Sequence, residues 1–154
     1  MTKIAVIDYG MGNLHSVGKA LERVCSKEQI LVTSDPKVIK TADKVVLPGV
    51  GAIKDCLEAF SDELRSLTLE LIRNKPTLAI CVGMQMLLES SEENGGVKCL
   101  NVLNGRIVKI PASKDIKIPH MGSITERDPR RIPERFLLGL FKVPSIGGGH
   151  YIKI

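Results

Sequence analysis

Four short runs of β-branched and aliphatic residues, each stopped by a turn and followed by a helical pattern, limit what this chain can fold into. Thr2 to Ile7 ends at Asp8 and passes through Tyr9-Gly10-Met11-Gly12-Asn13 into Leu14, Val17, Leu21 and Val24 at helical spacing. Gln29 to Thr33 gives way to Ser34-Asp35-Pro36, a helix start with proline in its first turn, and a short helix to about Thr41. Lys44 to Leu47 closes on Pro48-Gly49-Val50-Gly51, and helices are expected over Ala52 to Phe60 and Glu63 to Ile72. Asn74-Lys75-Pro76 breaks the pattern, Thr77 to Ile80 is a fourth strand, and Cys81 to Ser90 is expected to return to helix. Strands this short and this apolar need cover on both faces, and intervening helices supply it. The expected fold is therefore α/β, three-layered and doubly wound around a mostly parallel sheet. Ligands in such a fold sit beyond the carboxyl ends of the strands.

After Asn94-Gly95-Gly96 the pattern changes, and Cys99 to Ile110 alternates like a hairpin around Asn104-Gly105. From Ser123 onward Arg127, Arg130, Arg131 and Arg135 cluster with Pro129 and Pro133, ahead of a short apolar patch and Gly147-Gly148-Gly149. No strand–helix unit is expected there. The organisation read from sequence is one domain over residues 1–122 followed by a divergent basic tail over 123–154, within a length of 154 residues that excludes a two-domain enzyme. Residues 1–122 hold 16 Lys/Arg against 14 Asp/Glu, and residues 123–154 hold 6 against 3, so the tail carries most of the surplus charge. With no Trp and 3% aromatic residues there is no stacking platform, so nucleic acid is not an expected partner. No apolar run approaches the ~20 residues that cross a bilayer, and Met1 to Asp8 does not resemble a signal peptide, so a cytoplasmic protein without membrane contact is expected. Cys25, Cys56, Cys81 and Cys99 have neither CxxC spacing nor a nearby His pair; reduced thiols, no metal site and no cofactor are expected.

Chemistry concentrates in Leu78-Ala79-Ile80-Cys81-Val82-Gly83-Met84-Gln85. A cysteine at the junction of a buried strand and a helix, with small residues two before and two after it, has the pattern of a nucleophile elbow. The helix that follows would favour the thiolate. A free cysteine is also commonly a small buried apolar residue, and the octet alone leaves that open. Gly49, Val50 and Gly51 can turn a backbone N–H toward a ligand and, with the N–H of Val82, form an oxyanion hole; an ordinary strand-to-helix turn is the alternative. Gly10-Met11-Gly12-Asn13 lacks the third glycine of a dinucleotide fingerprint, since His15 stands there, and no acidic residue ends the second strand. That loop is expected to face protein rather than phosphate.

Ile7-Asp8-Tyr9-Gly10-Met11-Gly12-Asn13, Leu47-Pro48-Gly49-Val50-Gly51, Cys81-Val82-Gly83-Met84-Gln85 through Glu92-Glu93, and Pro119-His120-Met121-Gly122 occur in an order and spacing that resemble the class I glutamine amidotransferases. Within them the chain is most similar to the glutaminase subunits that serve a separate (β/α)8 cyclase in histidine biosynthesis, over roughly residues 1–122. The resemblance implies that Cys81 attacks the side-chain amide of L-glutamine while backbone N–H groups of the Gly51 loop and Val82 hold the oxyanion. It also implies that Gly51, Gln85 and Glu93 hold the glutamine, and that Asn13, Pro119 and Met121 lie near the cyclase.

The chain departs from that pattern in places. Ala79 stands where the family has Gly, and Ser123-Ile124 follows Pro-His-Met-Gly where the family has Trp-Asn. The His-Pro-Glu segment that completes the family's triad has no counterpart, because Gly149-His150-Tyr151 is not followed by a Glu two residues after the His. The expected fold is thus C-terminally incomplete, with a tail that does not complete the sheet, exposed apolar surface and marginal stability. Little glutaminase activity is expected of the chain alone, and the competing reading is a catalytically incomplete remnant that at most binds the cyclase. A nucleotide-binding α/β module is a third reading, and it gives Cys81 no role.

Overall fold

A computed structural model describes residues 1–109 and the strands at 136–139 and 150–153. The strand–helix alternation folds as β1 (Lys3–Ile7), α1 (Leu14–Val24), β2 (Gln29–Thr33), α2 (Pro36–Lys40), β3 (Lys44–Leu47), α3 (Ile53–Ala59), α4 (Asp62–Asn74) and β4 (Thr77–Ile80). Three of the helices start on the side chain their sequence provides. Asn13 accepts the Ser16 N–H at 3.3 Å, Asp35 the Lys37 N–H at 2.8 Å and Ser61 the Leu64 N–H at 3.2 Å. Each satisfies one of the free donors of a first turn.

The strands pair in parallel in the order β2-β1-β3-β4-β8, where β8 is Phe136–Gly139. Side chains alternate across this sheet, so consecutive residues serve different cores. Ile7, Val45 and Leu47 pack with Ile53, Leu57, Leu67, Leu71 and Ile72 of α3 and α4. Ile4, Val6 and Val46 face the other way, onto Leu14, Val17 and Leu21 of α1. Helices on both faces confirm the three-layer, doubly wound reading. Strand order reverses at β1, with β2 on one side and β3 on the other, so the carboxyl ends of β1, β3 and β4 border the crevice where such folds bind ligands.

Three expectations fail. The helix read over Cys81 to Ser90 is only α5 (Val82–Gln85). The next residues, Met86, Leu87 and Leu88, are buried all round, and an all-apolar run carries no period that distinguishes helix from irregular chain. Their carbonyls accept instead from Leu100 at 2.8 Å, Val102 at 2.8 Å, Leu103 at 2.9 Å and Asn101 at 2.9 Å, so long-range bonds replace the helical ladder. Those same bonds hold 99–103 outside any strand, which removes the hairpin expected around Asn104-Gly105. The hairpin lies one turn earlier, between β5 (Ser90–Ser91) and β6 (Val97–Lys98), around a 3₁₀ turn at Glu93–Gly95. β7 (Arg106–Lys109) runs parallel to β5, and β9 (His150–Lys153) runs antiparallel to β7, giving a second sheet ordered β6-β5-β7-β9.

The third failure concerns the tail. Phe136 to Gly139 pairs in parallel with Thr77 to Ile80, so the basic segment adds a strand to the main sheet and another to the small one. A β4 edge without a neighbour would present a row of unpaired backbone groups, and pairing there needs no side-chain pattern beyond a short apolar run.

Candidate active site

Three loops meet at the carboxyl edge of the main sheet. The first leaves β1 at Asp8, whose Oδ1 accepts the Gly10 N–H at 3.0 Å, and turns through Gly12 at φ +128°, a left-handed conformation that favours glycine. The second leaves β3 at Pro48. The third leaves β4 at Cys81.

Cys81 has φ 55° and ψ −120°. A cysteine there is strained, at roughly 1–3 kcal/mol, and such strain persists only where surrounding structure imposes it. Here the constraint comes from both sides. The Cys81 carbonyl accepts from Met84 at 3.0 Å and Gln85 at 3.2 Å, which commits the chain after it to a helical turn. Before it, β4 is locked to β3 with Ala79 opposite Leu47, and the methyl where the resembling family has glycine is fully buried in that ladder. Cys81 itself is half-buried at the end of β4. The supporting helix is a single turn, however, so the dipole assistance expected from a longer one is reduced.

The Pro48 and Cys81 loops cross with almost no space between them. A Cβ on Gly49 would lie 2.4 Å from the Gly83 nitrogen, and one on Gly83 would lie 2.1 Å from the Leu47 oxygen. Both glycines are required by this crossing, and it brings the Gly49–Gly51 backbone against Val82, the pair proposed from sequence as an oxyanion hole. Val50 is 43% exposed, and Gly51 turns at φ +82°. Gln85, one helical turn beyond Cys81, is buried. Glu93 reaches the same region from the small sheet, and its carboxylate accepts the Ile53 N–H at 3.0 Å. It thereby caps α3, whose N-cap residue Ala52 has no side-chain acceptor.

Asn13 is exposed at the start of α1, at the mouth of this edge. Pro119 and Met121 lie outside the described residues. The histidines do not gather here in any described way: His15 is exposed on α1, His150 lies in β9 opposite Lys109, and His120 is outside the described residues. Among the described residues no group of His, Cys, Asp and Glu could hold a metal ion, and no helix is long and apolar enough to cross a membrane.

Two residues given no role by sequence belong to the site. Tyr9 is buried and donates its hydroxyl to the Pro48 carbonyl at 2.6 Å, while the Cys56 thiol donates to the Val50 carbonyl at 3.2 Å. Burial pushes both groups above their ordinary pKa, so both stay protonated at neutral pH. A tyrosine directly after an apolar strand, needing a partner for its buried hydroxyl, was the available signal for one of them. Cys56 gave none, since a cysteine inside the helix expected over Ala52 to Phe60 reads as a small apolar residue. Cys99 is pushed up to about 11, by burial first and the Glu93 carboxylate second.

The glutamine amidotransferase class-I family profile matches residues 5–134. The chain is 51% identical over 132 residues to the imidazole glycerol phosphate synthase subunit HisH of Acinetobacter baylyi, covering 84% of this chain and 63% of that protein. The proteins of the same name from Nitrosococcus oceani and Methylococcus capsulatus are 55% identical over 128 residues and 49% identical over 129, each covering 79% of this chain and 59% of the relative. The chain thus spans about three-fifths of the length of the curated relatives it matches.

Proposed function

This chain belongs to the class-I glutamine amidotransferase family, and we propose that it is the glutaminase component of an imidazole glycerol phosphate synthase. The Cys81 sulfur bonds to the side-chain carbonyl carbon of L-glutamine, and the carbonyl oxygen takes the negative charge. The Val82 N–H and the N–H groups of the Gly49-Val50-Gly51 loop stabilise that charge. The C–N bond then breaks, the proton given up by the Cys81 thiol goes to the leaving nitrogen so that ammonia departs, and water cleaves the thioester to glutamate, restoring the thiol. Gly51, Gln85 and Glu93 hold the glutamine. The ammonia passes to the (β/α)8 cyclase subunit of the synthase, in a cytoplasmic heterodimer in which Asn13, Pro119 and Met121 lie near the interface. The exposed position of Asn13 beside the crevice supports this docking face.

The observation that carries the reading is the strained backbone of Cys81, φ 55°, held against a glycine loop that only backbone can approach. A buried structural cysteine has no need of that conformation. We infer further that the 154 residues alone turn glutamine over slowly. Ammonia is a poor leaving group, and a positioned proton donor contributes typically ~10²–10⁴-fold. Among the described residues, His15 is exposed on α1 and His150 lies on β9, the strand paired with β7 at the edge of the second sheet. This favours, as a second reading, a chain that binds the cyclase but is catalytically incomplete.

Glutamate release, measured with and without the cyclase and with Cys81→Ala, tests both. Cys81-dependent release that the cyclase increases supports the glutaminase reading. Cyclase binding without release leaves the second reading, and release that survives Cys81→Ala defeats both.

A further inference from the structure

The loop that would supply the oxyanion donors is rich in glycine, and a glycine-rich backbone left to itself samples many orientations. Here its carbonyls are held by two side chains from different elements. Tyr9, at the end of β1, takes the Pro48 carbonyl, and Cys56, on α3, takes the Val50 carbonyl. Neither anchor is free to follow the loop. The Tyr9 ring is stacked on Phe60 with centroids 4.1 Å apart and planes 14° apart, and Cys56 is 0% exposed within the α3–α4 core. The two groups also lie beside one another, so the anchors form one cluster.

In a trans peptide the C=O and the following N–H point in opposite directions. Holding the Pro48 carbonyl therefore fixes the Gly49 N–H, and holding the Val50 carbonyl fixes the Gly51 N–H. The Gly49–Val50 peptide, which carries the Val50 N–H, lies between two fixed planes and can turn only by paired rotation about both residues. Gly49 is at the same time pressed against Gly83, and the Glu93 carboxylate fixes the far end of the loop at the Ile53 N–H. Two buried side chains thus set the directions of the Gly49 and Gly51 N–H groups and restrict that of Val50.

We propose that Tyr9 and Cys56 are positioning residues for the oxyanion, acting through the peptide planes of residues 48–51 rather than by touching substrate. This rests on the glutaminase reading above. It differs from a packing role in a measurable way, because the anchors contribute only when negative charge forms on the substrate oxygen.

The test uses the full chain and the γ-aldehyde analogue of glutamine, dosed by its open-chain fraction because its α-amine also closes on the aldehyde to a cyclic imine; the open form adds the Cys81 sulfur to its carbonyl carbon to give a thiohemiacetal without losing a group. The rate at which iodoacetamide alkylates Cys81, followed by peptide mass spectrometry, reports the thiol itself. Protection by the aldehyde reports oxyanion binding. Removing an oxyanion donor outright costs ~10²–10³-fold, so disorienting one by Tyr9→Phe or Cys56→Ala is expected to weaken protection about tenfold or more, and well beyond any change in alkylation rate. Cys56→Ser, which keeps a donor, restores most of the protection. Protection unchanged in both Tyr9→Phe and Cys56→Ala overturns the proposal, as does a loss matched by an equal fall in alkylation. Native chain that the aldehyde does not protect overturns the glutaminase reading and the proposal with it.

Discussion

Gly83→Ala places a methyl where the Leu47 carbonyl oxygen already stands. The new Cβ would lie 2.1 Å from that oxygen and 2.9 Å from both the Leu47 carbon and the Pro48 oxygen, against 3.4 Å for ordinary van der Waals contact. The shortest approach must therefore open by about 1.3 Å. The neighbours are backbone at the end of a central strand, with Leu47 fully buried and paired to Ala79, so no flexible side-chain end can yield. Overpacking of this kind costs typically ~1–3 kcal/mol, and a clash confined to backbone belongs at the upper end. Alanine's better helix propensity returns up to ~1 kcal/mol, which leaves a net loss of about 2 kcal/mol or more. In a urea titration followed by circular dichroism, with a slope of ~1–3 kcal/mol per M, a loss of about 2 kcal/mol lowers the midpoint by roughly 0.7–2 M. Gly95→Ala is the comparison, because its φ of +84° carries conformational strain while no atom lies within 4 Å of the added Cβ. It should cost ~1–2 kcal/mol, the left-handed penalty alone. Equal midpoints for native protein and Gly83→Ala would refute the close crossing of the Leu47–Gly49 and Val82–Gly83 segments, and with it the contact on which the proposed oxyanion pair depends.

Other outcomes follow from the same geometry. Ser61→Ala removes the acceptor of the Leu64 N–H and should destabilise the chain by ~1 kcal/mol in the same titration. Cys99 is held protonated in the folded chain up to a pKa of about 11, whereas the unfolded thiol ionises near ~8.5. Its contribution is therefore fully present below the unfolded value and is lost as pH rises toward 11; a Cys99→Ala chain should lose stability less steeply over that window. Mass-spectrometric mapping at neutral pH should find Cys81 alkylated before the others, with Cys56 and Cys99 slow because burial keeps them protonated. Labelling of Cys99 or Cys25 ahead of Cys81 would count against the elbow.

Interactions local in the chain were legible from sequence. A helix start such as Ser34-Asp35-Pro36, or an apolar strand closing on Pro48-Gly49, depends on residues a few positions apart, and β1 to β4 lie where their composition puts them. The strand-to-helix turn at Cys81 was equally legible, since it needs only a cysteine between small residues at a strand end. Three outcomes depended on partners remote in sequence. Whether Met86 to Leu88 continued a helix was decided by the donors of Leu100 to Leu103, and whether the tail formed strands was decided by the open edges of β4 and β7. Two of the contacts that hold the proposed oxyanion loop were hidden for the same reason: Tyr9 is 39 positions from Pro48 and Glu93 is 40 from Ile53. A periodic pattern records which face of an element is apolar, but a hydrogen bond between side chain and distant backbone needs both elements already in place, and only the packed sheet put them there.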